Sequence, residues 1–442
     1  MKSDSASKVV LLAFCACLIA CMVAGLPVYL ALAAGFLLFF AYGLLKRVSA
    51  SALLKAAVGS VKSVAVILIA FLLIGMLTAS WRASGTIAGI VSACMGLVNP
   101  AVFPMATFLM VSLMSVLTGT AFGSAATMGS ICMAVGQALG CDSVLIGGAI
   151  LGGAFVGDRC SPLSTSAILT ATVTGTKLMD NLPRMAKRAA LPMLATCGIY
   201  LALGFMSPAS GQGTVVLPYN GVFDLSWPVL LPAVSVVVLA VLKVDVRVNM
   251  AVSIVVAVVI ALILQQASAA DLAYQLVFGY VAPTAEAAKT LNGGGLLSMV
   301  DATLIILISG TYAGLFEQTH LLEGIQQALV MLAGKIGREI ALVISGFALC
   351  GLCCNQTLST ILGEQLFRGL YKGENQALAL DIADTLIVSC ALIPWCIAAT
   401  VPLGSVGAPL ASICCAFYLL LQPASVVFRA VFKNMSGKRY QQ

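Results

Sequence analysis

The chain has 442 residues, of which 61% are apolar and 9% charged, with a net charge of +7 and a mean hydropathy of +1.08. A soluble domain carries about a quarter of its residues charged, so this composition excludes a water-facing surface over most of the molecule and makes lipid the solvent. The Lys and Arg residues sit in short stretches between apolar runs, which reads as membrane topology and excludes a nucleic-acid patch.

Helices of about 20 apolar residues satisfy their own backbone hydrogen bonds in lipid, and the alternating strands of an outer-membrane barrel are missing from the pattern. The expected fold class is an all-α polytopic membrane protein. Lys2 and Lys8 precede an apolar stretch in which Leu18-Ile19-Ala20-Cys21 resembles a lipoprotein cleavage box. That stretch continues apolar to Leu26 and is read as a first span over 9–24, followed by spans at 27–45 and 63–80. A second group lies at 101–117, 122–139, 143–174 and 189–206, and two more spans at 227–242 and 248–264 lead to a polar segment. The last group is 297–316, 340–353, 357–370, 379–403 and 404–427. With the polar passages near Phe122 and Thr357 open to a re-entrant reading, about 11–14 transmembrane passages are expected.

These passages divide into N-terminal helices and a basic linker (1–63), a first transport repeat (64–206), connecting helices with an external segment (207–297), a second, inverted repeat (298–428) and a tail (429–442). Lys46, Arg47, Lys55 and Lys62 share one side with Lys177, Arg184, Lys187 and Arg188, with Lys243 and Arg247, and with Lys433, Lys438 and Arg439. The positive-inside bias makes that side cytoplasmic and puts both termini there, in the cell (inner) membrane. The segments 207–226 and 265–295 hold one basic residue, Lys289, and are expected to face outward. Leu73-Ile74-Gly75-Met76-Leu77 followed by Ser84-Gly85-Thr86-Ile87 has a rough counterpart in Gly314-Leu315-Phe316 followed by Thr319-His320-Leu321. Each opens a five-passage block, and the blocks begin on opposite sides, as inverted repeats with a mid-membrane site do.

Each block contains apolar passages broken by polar and helix-breaking residues, the expected broken helices at mid-membrane. In the first these are Thr118-Gly119-Thr120-Ala121-Phe122-Gly123-Ser124 and Gly157-Asp158-Arg159-Cys160-Ser161-Pro162-Leu163-Ser164. Pro162 removes a helix donor, and freed carbonyls with the hydroxyls of Ser161, Ser164 and Thr165 suit a small cation. In the second block Asn355-Gln356-Thr357 with Ser359 and Thr360, and Asp384-Thr385 ahead of Pro394-Trp395, take comparable places. The segments 157–165 and 355–360 are expected to be non-helical and close together.

Carboxylates at membrane depth are costly and mark function unless a loop explains them. Asp158, deep in a broken passage, is the leading candidate: a buried carboxylate exchanges a proton for a cation, and the alternative is a structural cap on the break. Asp384 comes second, while Asp381, near Lys372 and Glu374, reads as a solvated edge charge. Glu364 and Arg368 stand one turn apart and suit a mutual pair. Glu317 and His320 follow a span end, where an interface position competes with a gate. Trp395 suits stacking, gating or an interface anchor. The fifteen Cys residues show no metal-ligand spacing with His320 and read as small packing residues, so no cofactor is expected beyond Na+ or H+ as coupling ions.

The same residues resemble a known family. Gly157–Ser164, GDRCSPLS, is similar to the G-D-K-x-S-P-L-S-D-T stretch of NhaC-type sodium/proton antiporters, and Thr118–Ser124, TGTAFGS, to their T-G-T-S-W-G-T. Asn355-Gln356 resembles the family's N-Q pair, Leu366-Phe367-Arg368 its M-F-R, and Asp384 with Leu392-Ile393-Pro394-Trp395 its E-D…L-I-P-W-N. The resemblance implies a secondary transporter exchanging sodium for protons, with a Na+ site at Asp158 and Thr165 and further contacts from Thr118, Thr120, Ser161, Ser164, Asn355, Gln356, Thr357 and Asp384. Thr165 stands where the family has Asp, and Cys396 where it usually has Asn. Losing an acid favours the alternative, a sodium- or proton-coupled carrier of a small organic solute such as a carboxylate or amino acid, with Arg159 pairing a substrate anion. Expected partners are therefore the bilayer, a small cation or organic solute, and a second copy in a homo-dimer. No intramembrane HExxH, Ser–His pair, aspartyl dyad or P-loop pattern appears, which argues against an enzyme or an ATP-driven pump.

Overall fold

The structure, a computed structural model, describes residues 5–61, 65–94, 98–206, 222–284, 287–288, 291–319, 321 and 323–435. Among them every regular element is a helix, and the one extended pairing is a bridge between Tyr280 and Gly293. Lys2, Lys62, Lys289, His320, Lys438, Arg439 and positions 207–221 of the expected outer loop lie outside the described residues.

Six described helices are long and apolar enough to cross a membrane: Val28–Leu45, Ser143–Cys160, Leu178–Met206, Val246–Ile263, Leu296–Thr319 and Asn375–Leu392. A seventh candidate is Leu68–Ala83 with Thr86–Cys94, bent by 65°, where Gly85 takes the left-handed φ of 74° that breaks the helix. Most of the other expected passages are shorter apolar helices, among them Phe103–Thr118, Thr165–Thr174, Ile397–Val406 and Phe417–Phe432. The expected 122–139 passage is divided into Ala121–Ser124, a π-helical turn Ala125–Gly129 and Ser130–Ala138. The basic stretch 177–188, which precedes the expected passage at 189–206, is mostly the start of the same Leu178–Met206 helix. Its buried side is Asn181, Met185, Ala189, Pro192 and Thr196, a helical period that leaves Arg184 and Lys187 exposed and Arg188 at the edge of the packed face.

The breaks recur with matching backbone conformations. Phe103–Thr118 ends at Gly119 (φ 68°) and the chain restarts after Thr120 (φ −143°, ψ 131°). Arg338–Cys353 ends at Cys354 (φ 54°), and Gln356–Tyr371 restarts after Asn355 (φ −146°, ψ 126°). Likewise Ser161-Pro162-Leu163-Ser164 separates Ser143–Cys160 from Thr165–Thr174, and Ile393-Pro394-Trp395-Cys396 precedes Ile397–Val406. Proline is second in both, and the last residue is an extended N-cap: Ser164 at φ −73°, ψ 126° and Cys396 at φ −83°, ψ 140°. The breaks thus pair 119–120 with 354–355 and 161–164 with 393–396. The expected pairing of 157–165 with 355–360 differs because Gly157–Cys160 and Gln356–Thr360 stay helical.

Small residues let the site helices touch. A Cβ on Gly157 would lie 2.0 Å from the Ser115 carbonyl carbon, and one on Gly153 2.7 Å from the Phe108 oxygen. Ser115 Oγ donates to the Ala154 carbonyl across the same contact. Close backbone approach through small residues is how helices pack without help from water.

Candidate ion and solute site

Asp158 lies in the last turn of Ser143–Cys160 and is 5% exposed. Its Oδ2 accepts from Ser166 Oγ at 2.9 Å and from Gln356 Nε2 at 2.9 Å. Ser166 arrives there because Ser164 caps the Thr165–Thr174 helix, its Oγ accepting from the amides of Ser166 and Ala167 at 3.1 Å each and donating to the Asp158 carbonyl. Gln356 arrives from the other break, where Asn355 Oδ1 caps the Thr357 amide at 2.9 Å. Gln356 Nε2 also donates to the Ile387 carbonyl at 3.2 Å. A carboxylate on one broken passage is therefore held by an amide from another, and both partners are neutral.

A cavity of about 390 Å³ opens on this carboxylate, lined also by Thr118, Thr120, Thr165, Ser166, Gln356 and Thr357. A smaller one of about 220 Å³ shares Thr165, Ser166, Gln356 and Thr357 with it and adds Thr360. Thr118 Oγ1 contacts Ser124 Oγ at 2.9 Å and donates to the Met114 carbonyl at 2.9 Å. Lys243 and Asp245, from the turn before Val246–Ile263, and Arg247 in the first turn of that helix line the larger cavity too. Asp245 pairs with Arg247 Nε at 3.1 Å, and this exposed guanidinium holds its carboxyl below the usual carboxylate range.

The other predicted residues are placed differently. Ser161 is fully buried and braces the break, its Oγ donating to the Val116 carbonyl at 2.7 Å. Asn355 and Ser164 are caps and line neither cavity. Trp395 Nε1 donates to the Gly351 carbonyl at 2.8 Å, fastening the 393–396 break to the Arg338–Cys353 helix. Glu364 and Arg368 pair with each other, as their spacing suggested.

Arg159 and Asp384 meet each other and not the cavity. Arg159 Nη2 lies 2.9 Å from Asp384 Oδ1 with both side chains fully buried, and its other donors reach the Tyr418 hydroxyl at 3.2 Å and the Met185 carbonyl at 2.6 Å. Asp384 also takes Arg188 at 3.0 Å, Arg429 at 2.7 Å and Gln422 at 2.8 Å. An arginine so committed has left the substrate-pairing place expected for it, because the carboxylate outcompetes any ligand outside its reach. Asp381 is corrected from an edge charge: it is 5% exposed and bound to Arg188 at 2.7 Å and to the Tyr371 hydroxyl at 2.8 Å.

Sequence reasoning passed over Ser166, Lys243 and Arg247. Ser166 could have been found, since it occupies the last hydroxyl position of the S-P-L-S-D-T pattern. Nothing local signals the other two, which reach the cavity only through the fold.

The profile of the Na+/H+ antiporter family matches residues 5–182 and 171–433. The chain belongs to the Na+/H+ antiporter family. Relatives within reach of this antiporter include the malate-2H(+)/Na(+)-lactate antiporter of Bacillus subtilis strain 168, 25% identical over 73% of this chain and 71% of that one. The Na(+)/H(+) antiporter NhaC of Alkalihalophilus pseudofirmus is 25% identical over 79% of this chain and 78% of its own. The arginine/ornithine antiporter ArcD of Halobacterium salinarum is 25% identical over 80% and 76%. The expected likeness to NhaC-type proteins therefore holds, and the chain is a multi-pass membrane protein of a transporter family.

Proposed function

We propose that this antiporter exchanges protons with sodium at Asp158, in the cell membrane and with both termini in the cytoplasm. The observation that carries the reading is the contrast between two buried carboxylates. Asp158 is held by a serine and a glutamine, both neutral, whereas Asp384 is held by three arginines. A carboxylate bound only by neutral donors has no fixed counter-charge, so a proton or a cation can supply one in turn, while one held by three arginines already has its counter-charges. Asp158 supplies the charge, and the hydroxyls of Thr118, Thr120, Thr165 and Thr357 supply neutral oxygens for Na+. The protein is a carrier and not a catalyst, and it works as a homo-dimer.

A second reading has its own support. A cavity of about 390 Å³ greatly exceeds a dehydrated cation, given that one water occupies about 30 Å³ in the liquid. It suits an organic solute carried with Na+ or H+. Lys243 at its lining offers a small carboxylate a counter-charge, Arg247 being paired with Asp245. Uptake into proteoliposomes, with sodium and pH gradients imposed separately, distinguishes the two. Proton-coupled sodium flux without added solute supports exchange alone. Flux that requires a carboxylate supports the second reading, and no response to either gradient removes both. Cysteine labelling at position 177 tests the orientation, since access from outside would overturn it.

A further inference from the structure

The arginines around Asp384 and Asp381 outnumber the acids. Arg159, Arg188 and Arg429 share two carboxylates, leaving one positive charge in excess. Arg159 is fully buried and its nitrogens are all engaged. Arg188 uses Nη1 alone and Arg429 uses Nη2 alone; among the described residues the remaining nitrogens of both have no partner. Each guanidinium carries five N–H donors in a planar fork, so donors are left over where the charge is in surplus. The two side chains are 26% and 37% exposed, so these donors are reachable.

Their surroundings indicate what reaches them. Arg188 lies on Leu178–Met206 and Arg429 on Phe417–Met435, two helices packed side by side. Leu191 and Leu194 on the first and Phe428 on the second are exposed, a lipid-facing apolar surface. The uncharged run 189–206 spans about 27 Å of helix, close to the hydrocarbon thickness of about 30 Å. Arg188, immediately before it, therefore sits at headgroup level. Lys187 and Arg184 beside it are exposed and add to the positive field, while Asp180, the single acid on that helix, stands more than two turns earlier.

We infer that Arg188 and Arg429 form a binding site for the headgroup phosphate of an anionic phospholipid, seated between these two helices. The phosphate oxygens accept from the unused guanidinium donors, and its charge completes the neutrality of the Asp381–Asp384 cluster. The acyl chains lie along Leu191, Leu194 and Phe428. One surplus charge at the membrane surface corresponds to about a five-fold preference for an anionic over a zwitterionic lipid.

The test uses the purified full-length protein. After delipidation, phosphatidylglycerol, phosphatidylcholine or inorganic phosphate is added back, and retained lipid and thermal midpoint are measured. Phosphatidylglycerol is expected to be retained about five-fold over phosphatidylcholine and to raise the midpoint, with inorganic phosphate at millimolar concentration without effect. R429Q and R188Q should lose the preference, and K187Q should keep it. Equal retention of the two lipids by the wild-type protein overturns the site even if the arginine variants fail to accumulate. So does an equal loss in K187Q, which would mean diffuse attraction. A midpoint shift with inorganic phosphate alone would assign the site to a soluble anion and overturn the lipid.

Discussion

Asp158 and Arg159 are consecutive residues, yet they belong to two separate polar systems: Asp158 faces a cavity and takes Gln356 at 2.9 Å, while Arg159 is turned to Asp384 at 2.9 Å. One helical turn of Ser143–Cys160 thus joins the candidate exchange site to a buried ionic cluster on three other helices. Any movement that tilts this turn acts on both. This arrangement makes the two aspartates distinguishable by experiment.

Asp158→Asn keeps the size and hydrogen-bonding capacity of the side chain and removes its charge and proton. The variant is expected to insert and fold as the wild type, and to lose sodium- or pH-driven flux in proteoliposomes. Asp384→Asn is expected to fail earlier, at accumulation and thermal stability, because three arginines lose their counter-charge. Wild-type flux in a well-folded Asp158→Asn protein would make Asp158 structural.

The Arg159–Asp384 pair should show strong coupling. Removing one partner of a buried pair costs about 3–5 kcal/mol, so Arg159→Met and Asp384→Leu each should lower the thermal midpoint sharply. Arg188 and Arg429 still face Asp384 in the first variant, which places it at the lower end. In a double-mutant cycle the combined variant should be less damaged than the sum of the two. Additive losses would show that the two charges are not coupled.

Thr165 lines both cavities and stands where the family pattern has an aspartate. Thr165→Asp adds a second acid beside Asp158. It should raise sodium affinity at neutral pH and weaken uptake of a carboxylate through like-charge repulsion. Unchanged sodium dependence would place position 165 outside the cation path.

Gly157→Ala tests the helix contact behind the site. Its Cβ would lie 2.0 Å from backbone of Ser115, which, unlike a flexible side chain, cannot swing aside. Overpacking of a core costs about 1–3 kcal/mol, and a backbone clash belongs at or above the upper end. The variant should lose both thermal stability and transport. A midpoint equal to the wild type would mean that the two helices separate freely.

The sequence alone determined the solvent and the helical class, because lipid tolerates few backbone solutions, and its Gly, Pro and N-capping residues marked the neighbourhood of the breaks, although Gly157–Cys160 and Gln356–Thr360 stay helical. The pattern at Gly157–Ser164 likewise marked Asp158 before any contact was known. Which residue meets which was decided by tertiary structure. Arg159 and Asp384 are 225 positions apart, and no local signal tells an arginine that serves a substrate from one that serves a distant aspartate. Asp381 read as an edge charge because Lys372 and Glu374 are near in sequence, whereas its partner Arg188 comes from a helix 193 positions away. The basic stretch before 189 lies outside the apolar runs because its charge density is high, yet packing through Asn181 and Met185 makes it helix. Lys243 and Arg247 reach the cavity for the same reason: burial and proximity are properties of the assembled helices, and residue type constrains them only weakly.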